Sequence, residues 1–474
     1  MSCLNIYRVE GVRMKNRFSY VFLMLVISIV FGGISDCQQD NDGDGSTDDI
    51  DCNDSDPNIY PGALELCDHV DNDCDETVDN GLDNDGDGTT SCSGDCDDED
   101  PAKGPQASDI PDDEIDNDCD GFVDDKGWEW GSTGADTAKA IALENDLVCI
   151  AGSTGGNLYQ PSAGGSDAIV ACFDKDGIPE FEWQFGFSSQ DSFNDIVLSE
   201  GNVFVGGTVD EAAFVGSVTW NQLGIKGSSG NAVVENEGFI FLAGSEPTES
   251  GGNRAFVARY ELDGTPAGKW ILETGTKTSA TGLAKRPSGG IIVVGHTDAT
   301  VYGHIDGWLV EMTTDLEIVG DISVFGTSRD DFPHDVAIAS NGSPVVVGNT
   351  YEENSYTQGF VTLVRDDGGW YVESGVDHLD DEFHGVITTD NNGFYAIGDQ
   401  YDSLLLSQIS LAHYDDSGVL LEKFIFGTPS DNDYGNGIKI DEEERIWITG
   451  STGGPLFSPF QEGDKTTNCY VTPI

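Results

Sequence analysis

The chain has 474 residues, with 87 Asp and Glu against 21 Lys and Arg, for a formal net charge of −66. So acidic a chain is not a nucleic-acid binder, because phosphate contacts need Lys and Arg; its partners are expected to be cations, or neutral or basic ligands. The acids are unevenly spread: about 33 of them lie in residues 36–126, where Lys103 and Lys126 are the only Lys or Arg.

Residues 1–35 read as an export signal. Lys15 and Arg17 precede an apolar run from Phe18 to Phe31, followed by the small residues Gly32, Gly33 and Ser35. Met14 is an alternative start. The run is short for a stable span and lacks a positive stop-transfer patch, so no transmembrane segment is expected once the signal is removed. A secreted or cell-surface location follows. Cys37 invites lipid attachment, but Asp36 occupies the place where such signals want a small residue.

The acidic segment comes next. Asp40, Asp42, Asp44, Asp48 and Asp51 fall at positions 1, 3, 5, 9 and 12 of a loop with Gly45 at 6, the spacing by which a short calcium loop presents its oxygens. An all-oxygen donor set suits Ca2+ before softer metals. Asp71, Asp73, Asp75 and Asp79 continue the pattern, and Asp83, Asp85, Asp87 and Asp95, then Asp116, Asp118, Asp120 and Asp124, repeat it. The segment has almost no aromatic residues and repels itself, so bound cations would have to supply its folding energy. A solvated acidic tether is the alternative. Cys52, Cys67, Cys74, Cys92, Cys96 and Cys119 interleave with the loops, as disulfides do in exported modules without a core. Six cysteines allow fifteen pairings, and the sequence does not choose among them. A thiolate zinc site is the rival reading, disfavoured by the surrounding Asp.

Residues 36–81 and 82–126 are two copies of one unit. Asp-Asn-Asp-Gly-Asp-Gly recurs, followed by Asp51-Cys52-Asn53-Asp54 or Asp95-Cys96-Asp97-Asp98, and then Asp71-Asn72-Asp73-Cys74-Asp75 or Asp116-Asn117-Asp118-Cys119-Asp120. This closely resembles the MopE-type metal-binding repeat. The resemblance implies a secreted or surface protein with divalent-metal loops. It does not carry copper with it, since copper prefers imidazole and sulfur and the segment holds only His69. The second copy lacks the Pro-Gly-Ala and Glu-x-Cys-Asp stretch of the first, and Glu76 stands where a glycine is usual.

From residue 127 to 474 the composition turns to Gly, Val, Ile and Phe, with a period of about 50 residues. Seven apolar strands end in a marker glycine: Gly152, Gly207, Gly244, Gly295, Gly348, Gly398 and Gly450. Each repeat holds four short strands bounded by Gly, Asn and Asp turns, which predicts an all-β, seven-bladed β-propeller of four-stranded antiparallel blades. Trp128–Trp130 lacks a preceding strand and Cys469–Val471 lacks a following one, so pairing them would close the seventh blade. The array resembles the SBBP propeller repeat of exported bacterial proteins, which implies fold and little about activity. The interval from Gly207 to Gly244 is short, as for a thinned blade or a notch. Cys149, Cys172 and Cys469 read as buried small hydrophobes.

Two connections per blade are tight and two are long, the long ones emerging on one face with Tyr159, Tyr302, Tyr351, Tyr356, Tyr401, Phe457 and Phe460. Aromatic loops on a rigid scaffold suit ligand binding; packing the loops onto the blades is the equal alternative. The same face carries the acidic connectors Asp330-Asp331-Phe332 and Asp431-Asn432-Asp433-Tyr434. His334 and His384 occupy matching places at the start of an innermost strand, where Asn194 and Asn436 stand in other blades. They suit metal binding or proton transfer, or simply the capping of a strand end, and His296 and His304 read as loop residues. No nucleophile–His–Asp order, His-Glu-x-x-His or phosphate loop is present. The expected function is a non-enzymatic surface or secreted binding protein, with an extracellular protein or glycan as partner. An exported glycan lyase or hydrolase, or a metal scavenger, is the alternative.

Overall fold

The computed structural model describes residues 40–63, 70–75, 77–78, 85–86, 88–90, 95–97, 99–104, 117, 119, 127–175, 177–217, 219–299, 302, 304–351, 357–364, 370–373, 380–389, 393–401, 406–428, 431–453, 456 and 468–473. The chain divides into two units: Met1–Ala107 with Asn117–Cys119, and Ser108–Asp116 with Asp120–Ile474. Among the described residues, no helix is long and apolar enough to cross a membrane.

In the second unit, short strands rich in Val, Ile, Phe and Ala pair into seven four-stranded antiparallel sheets. Blade 1 spans residues 136–185, blade 2 192–226, blade 3 229–271, blade 4 279–325, blade 5 330–373 and blade 6 381–426. Blade 7 takes three strands from residues 433–473 and its outermost strand from Trp128–Trp130, with Trp128 opposite Val471 and Trp130 opposite Cys469. The ring is therefore closed by the two ends of the array, as the sequence predicts.

Each gap between neighbouring blades holds one apolar cluster, seven in all. Between blades 7 and 1, for example, Trp447, Cys469 and Val471 meet Ile141, Ile150 and Phe173. Third strands are packed on both sides: in Asp167–Asp174, seven of eight positions are buried. Outermost strands face water, as Leu420–Phe426 shows. Burial of each large apolar side chain is worth about 1.5–3 kcal/mol, so the ring is held by its gaps rather than by a central core.

The innermost strand of every blade carries a β-bulge next to its start. The register slips between Ala138 and Ala140, and likewise around Asn194, Asn231, Thr281, His334, His384 and Asn436. The marker glycine lies against that bulge. A Cβ on Gly152 would stand 1.9 Å from the Thr137 carbonyl oxygen, and one on Gly398 1.9 Å from that of Glu382. Bulge and glycine are one device, repeated seven times, and it turns one polar residue per blade toward the axis.

Two expectations change. Cys149 and Cys172 are buried, but they face each other across adjacent strands and form a disulfide; Cys469 alone stays a buried thiol. The short second repeat is a complete four-stranded blade. Its missing length lies in the link between second and third strands, a two-residue turn in which Asp210 and Glu211 have φ of 49° and 61°. Two positive φ values suit the right-handed twist of a tight hairpin.

Candidate metal centre and propeller mouth

Gly43 and Gly45, with φ of 88° and 107°, bend the first acidic loop so tightly that its carboxylates bond to the loop itself. Gly43 N donates to Asp40 Oδ1 (2.7 Å), Ser46 N to Asp44 Oδ1 (2.7 Å) and Asn53 N to Asp51 Oδ1 (2.8 Å). Thr47 O accepts from Ile50 N and Asp51 N, a single turn that returns Asp51 to the others. Each carboxylate thus spends one oxygen on the backbone. The second oxygens of Asp42, Asp44 and Asp51 are buried with no hydrogen-bond donor, and the three side chains offer ligand atoms within 4.8 Å of one another. An ion bound at about 2.4 Å holds opposite ligands at that separation. Burial, then the charges of Asp44, Asp51 and Asp40, push the Asp42 carboxyl above its usual range. Hard oxygen ligands crowded in this way fit a hard divalent cation.

Two further triads have the same span, Asp40 with Asp42 and Asp54, and Asp71 with Asp73 and Asp75. Asp54 was not among the expected ligands. It reaches the loop because Asn41 N donates to its Oδ1 (2.9 Å). Asp48 lies outside these triads. In the second copy Asp95 repeats Asp51: it is buried, its Oδ1 accepts from Asp97 N (2.8 Å) and its Oδ2 has no donor. Asp85 is half-buried. Asp79, Asp83, Asp87, Asp116, Asp118, Asp120 and Asp124 lie outside the described residues, as do Cys67, Cys92, Phe457, Tyr356, Phe460 and the whole of residues 1–35 with Cys37.

The disulfides repeat as well. Cys52 pairs with Cys74 and Cys96 with Cys119. In each pair the first cysteine's N–H donates to the second one's sulfur, and the second has φ near 60°. These four sulfurs are therefore not zinc thiolates.

At the propeller mouth on the long-loop face, the bulge residues form a ring of Lys139, Asn194, Asn231, Thr281, His334, His384 and Asn436. Five of them bond to the next blade. Asn194 Nδ2 donates to Gly230 O, Asn231 Nδ2 to Ala280 O and Asn436 Nδ2 to Ala138 O, each at 2.8 Å. Thr281 Oγ1 donates to Pro333 O (2.7 Å) and Lys139 Nζ to Asn194 Oδ1 (2.8 Å). The two histidines depart from this girdle. His334 Nε2 donates to Asn349 Oδ1 (2.5 Å) and His384 Nε2 to Asp399 Oδ2 (3.0 Å), both within their own blades, and the rings stand edge to face with centroids 5.6 Å apart.

Their environments pull the pair apart. Burial, helped by His384, drops His334 to about 4. At His384 burial also favours the neutral ring, but Asp399 and Glu382 outweigh it and raise the value. Two adjacent imidazoles whose proton affinities are pulled in opposite directions suit separate acid and base roles. His296 is not a loop residue: it sits in the strand Ile291–Thr297, lines the same mouth, and is lowered to about 4 by burial. Its signal in the sequence was its place directly after marker Gly295. One consequence is measurable. A histidine depressed in the fold adds stability above pH 6.5 that is lost as pH falls through about 4. His334→Gln is expected to keep more of its neutral-pH stability at pH 4.5 than the wild type does, by about 1–3 kcal/mol, read from denaturation midpoints at the two pH values. Parallel losses in both proteins would contradict it.

The aromatic residues separate. Tyr159 packs on the cluster around Trp130 and Phe173, and its phenol is raised by burial. Tyr302 and Tyr351 are exposed at 55% and 42%. Tyr401 is half-buried and close enough to Asp399 and Glu382 to be raised by them after burial, and Tyr434 joins it. The acidic connectors are not a binding surface throughout. Asp331 and Asp433 are fully buried and accept from Thr327 N (2.7 Å) and Thr428 N (2.5 Å), closing the turn before each innermost strand.

Together these features define a class: disulfide-closed carboxylate loops in one unit and a seven-bladed propeller in the other. Residues 51–80 and 95–125 match the copper-binding MopE family model, described as a "Putative metal-binding motif", and residues 425–457 match the SBBP β-propeller repeat. The chain thus carries two MopE-type motifs and an SBBP-type propeller. Its fold is similar to the WD40 β-propeller domain of Doa1 (9% identity, 72% of this chain and 94% of that one, TM-score 0.45). It is also similar to a protein of unknown function from Dyadobacter fermentans (9%, 73% and 98%, 0.46) and to puromycin hydrolase (13%, 73% and 54%, 0.44). No curated protein matches the sequence.

Proposed function

We propose that the chain is an exported, non-enzymatic binding protein whose acidic loops take up calcium and whose propeller offers its long-loop face to an extracellular protein or glycan. The observation that carries the reading is the inward set of donor-free oxygens on Asp42, Asp44 and Asp51. Calcium suits them because it accepts many oxygen ligands in flexible geometry, whereas magnesium demands a near-ideal octahedron and keeps its waters. Export is supported by the apolar run after Lys15 and Arg17 and by disulfides, which persist in oxidising compartments.

Titration calorimetry on the oxidised full chain tests the metal. Calcium is expected to saturate several sites, with magnesium at least about tenfold weaker, and Asp44→Asn with Asp51→Asn to remove one calcium site. Equal, unsaturable uptake of both ions would refute a specific loop.

A further inference from the structure

The mouth of the channel is chemically unlike the rest of the chain. It opens into a cavity of about 610 Å³ whose thirteen described lining residues are all Ser, Thr, Asn, His or Lys. Among the described residues no carboxylate and no apolar side chain lines it, although 87 of the 474 residues of the chain are acids. Several basic residues elsewhere pair with acids, as Arg254 does with Glu246 and Arg286 with Glu311, whereas Lys423, like Lys139, donates to an amide, that of Gln400. Lys139 has no carboxylate partner among the described residues; it donates only to the Asn194 amide, and burial lowers its pKa. His296 adds a buried Nδ1 with no hydrogen-bond partner. His334 and His384 stand where the girdle of blade-to-blade bonds is interrupted, so their rings are not spent on holding the ring of blades together.

We propose that this mouth binds a small hydroxyl-rich anion, a sugar acid or sugar phosphate, with Lys139 and His384 facing its charge and the amides around the ring facing its hydroxyls. The whole-chain charge argues for cationic or neutral partners, but salt screens distant charges beyond about 8–10 Å, leaving the acid-free lining to decide. Side-chain amides and hydroxyls both donate and accept, as a polyol requires, and apolar side chains such as Ile141, Ile196 and Val336 line only the deeper part of the channel. The volume lies in the usual range for small-ligand pockets, roughly 300–1,000 Å³. One residue deeper, Asp195 and Asp335 turn their oxygens to backbone donors, Val233 N (2.7 Å) and Val386 N (3.1 Å), and Lys439 faces them electrostatically.

The inference goes beyond the binding reading of the loop face and does not depend on the calcium loops, so the titrations are run on the full chain with and without calcium. Glucuronate, glucose 6-phosphate, glucose and inorganic phosphate are the probes. One or both sugar anions are expected to bind at one saturable site, at least about tenfold tighter than glucose or phosphate. Lys139→Gln and His384→Gln are each expected to weaken that binding by about tenfold, and Lys139→Arg to retain it, with unchanged near-UV circular dichroism as the check on folding. Binding that is absent, indifferent to Lys139→Gln, or equal for glucose or for phosphate alone would overturn the proposal. If calcium uptake fails while glucuronate still binds, only the metal reading falls.

Discussion

Chelating divalent cations from the full chain exposes its acidic segment to a protease that cuts at acidic residues, while the propeller resists as a fragment of about 345 residues. The expectation follows from charge and from the loop geometry. Residues 36–126 carry about 33 acids and two bases, and the described part has one buried aliphatic side chain, Ile59. The two disulfides among the described residues restrain the unfolded chain, but they leave the carboxylates of Asp42, Asp44 and Asp51 converging. Calcium at a hundred times its dissociation constant would favour the closed loops by about 2.7 kcal/mol, about a hundredfold in the open population. Cleavage that depends on opening rises in proportion. The propeller owes its resistance to seven apolar clusters and has no need of the ion. Identical digestion with calcium and with chelator, followed on reducing gels, would show that the loops are closed by their own bonds and the disulfides alone.

Gly398→Ala should destabilise the propeller by roughly 3 kcal/mol or more, a drop of about 4 °C or more in Tm for a domain of this size. The added Cβ would meet Glu382 O at 1.9 Å, and Glu382 C and Phe383 Cα at 2.8 Å. These are backbone atoms of the bulge, so no side chain can rotate away. To make room the second strand must part from the first, which loosens the hydrogen bonds around Phe383 and Gly385 and shifts His384 with them. Gly268→Ala is the control: its Cβ would come no closer than 3.4 Å, against the flexible end of Leu316, and it is expected to change stability by about 0.5 kcal/mol or less. Equal effects of the two substitutions, measured by denaturant unfolding, would mean that the bulge and the glycine are not coupled.

The seven marker glycines made the blade count legible in the sequence because a close backbone approach admits one residue type. Closure was legible because Trp128–Trp130 and Cys469–Val471 are each half of a pair. The ring at the mouth was harder to see. Its seven members are Lys, Asn, Asn, Thr, His, His and Asn, which share a backbone position and no side-chain pattern. Asn194, His334, His384 and Asn436 were matched in the sequence, but Lys139, Asn231 and Thr281 are aligned with them only by distance from the marker glycine, thirteen residues from Lys139 to Gly152 and fourteen from Thr281 to Gly295. Asp331 and Asp433 look like surface acids in sequence, since their burial depends on a turn folded back over them. The disulfide between Cys149 and Cys172 depends on the register of two strands across a long link, which spacing does not fix. In the acidic segment, one-dimensional spacing located Asp40, Asp42, Asp44 and Asp51, which converge, but it also pointed to Asp48, which lies outside the triads, and missed Asp54, brought in by a hydrogen bond from the backbone of Asn41.

Closure by the ends of the array also sets a timetable. Trp130 leaves the ribosome about 340 residues before its partner strand at Asn468–Pro473, an interval of roughly 17–70 s at 5–20 residues per second. Through that interval blade 1 has one wall of its gap, Ile141, Ile150, Ile169 and Phe173, and waits for Trp447 and Val471 to supply the other. Blades 1 to 6 can stack in order as they emerge, but the last gap joins residues at opposite ends of the array. Newborn chains therefore pass through an open arc with two sticky faces, and the final seam is the step most exposed to misassembly and to holding by chaperones.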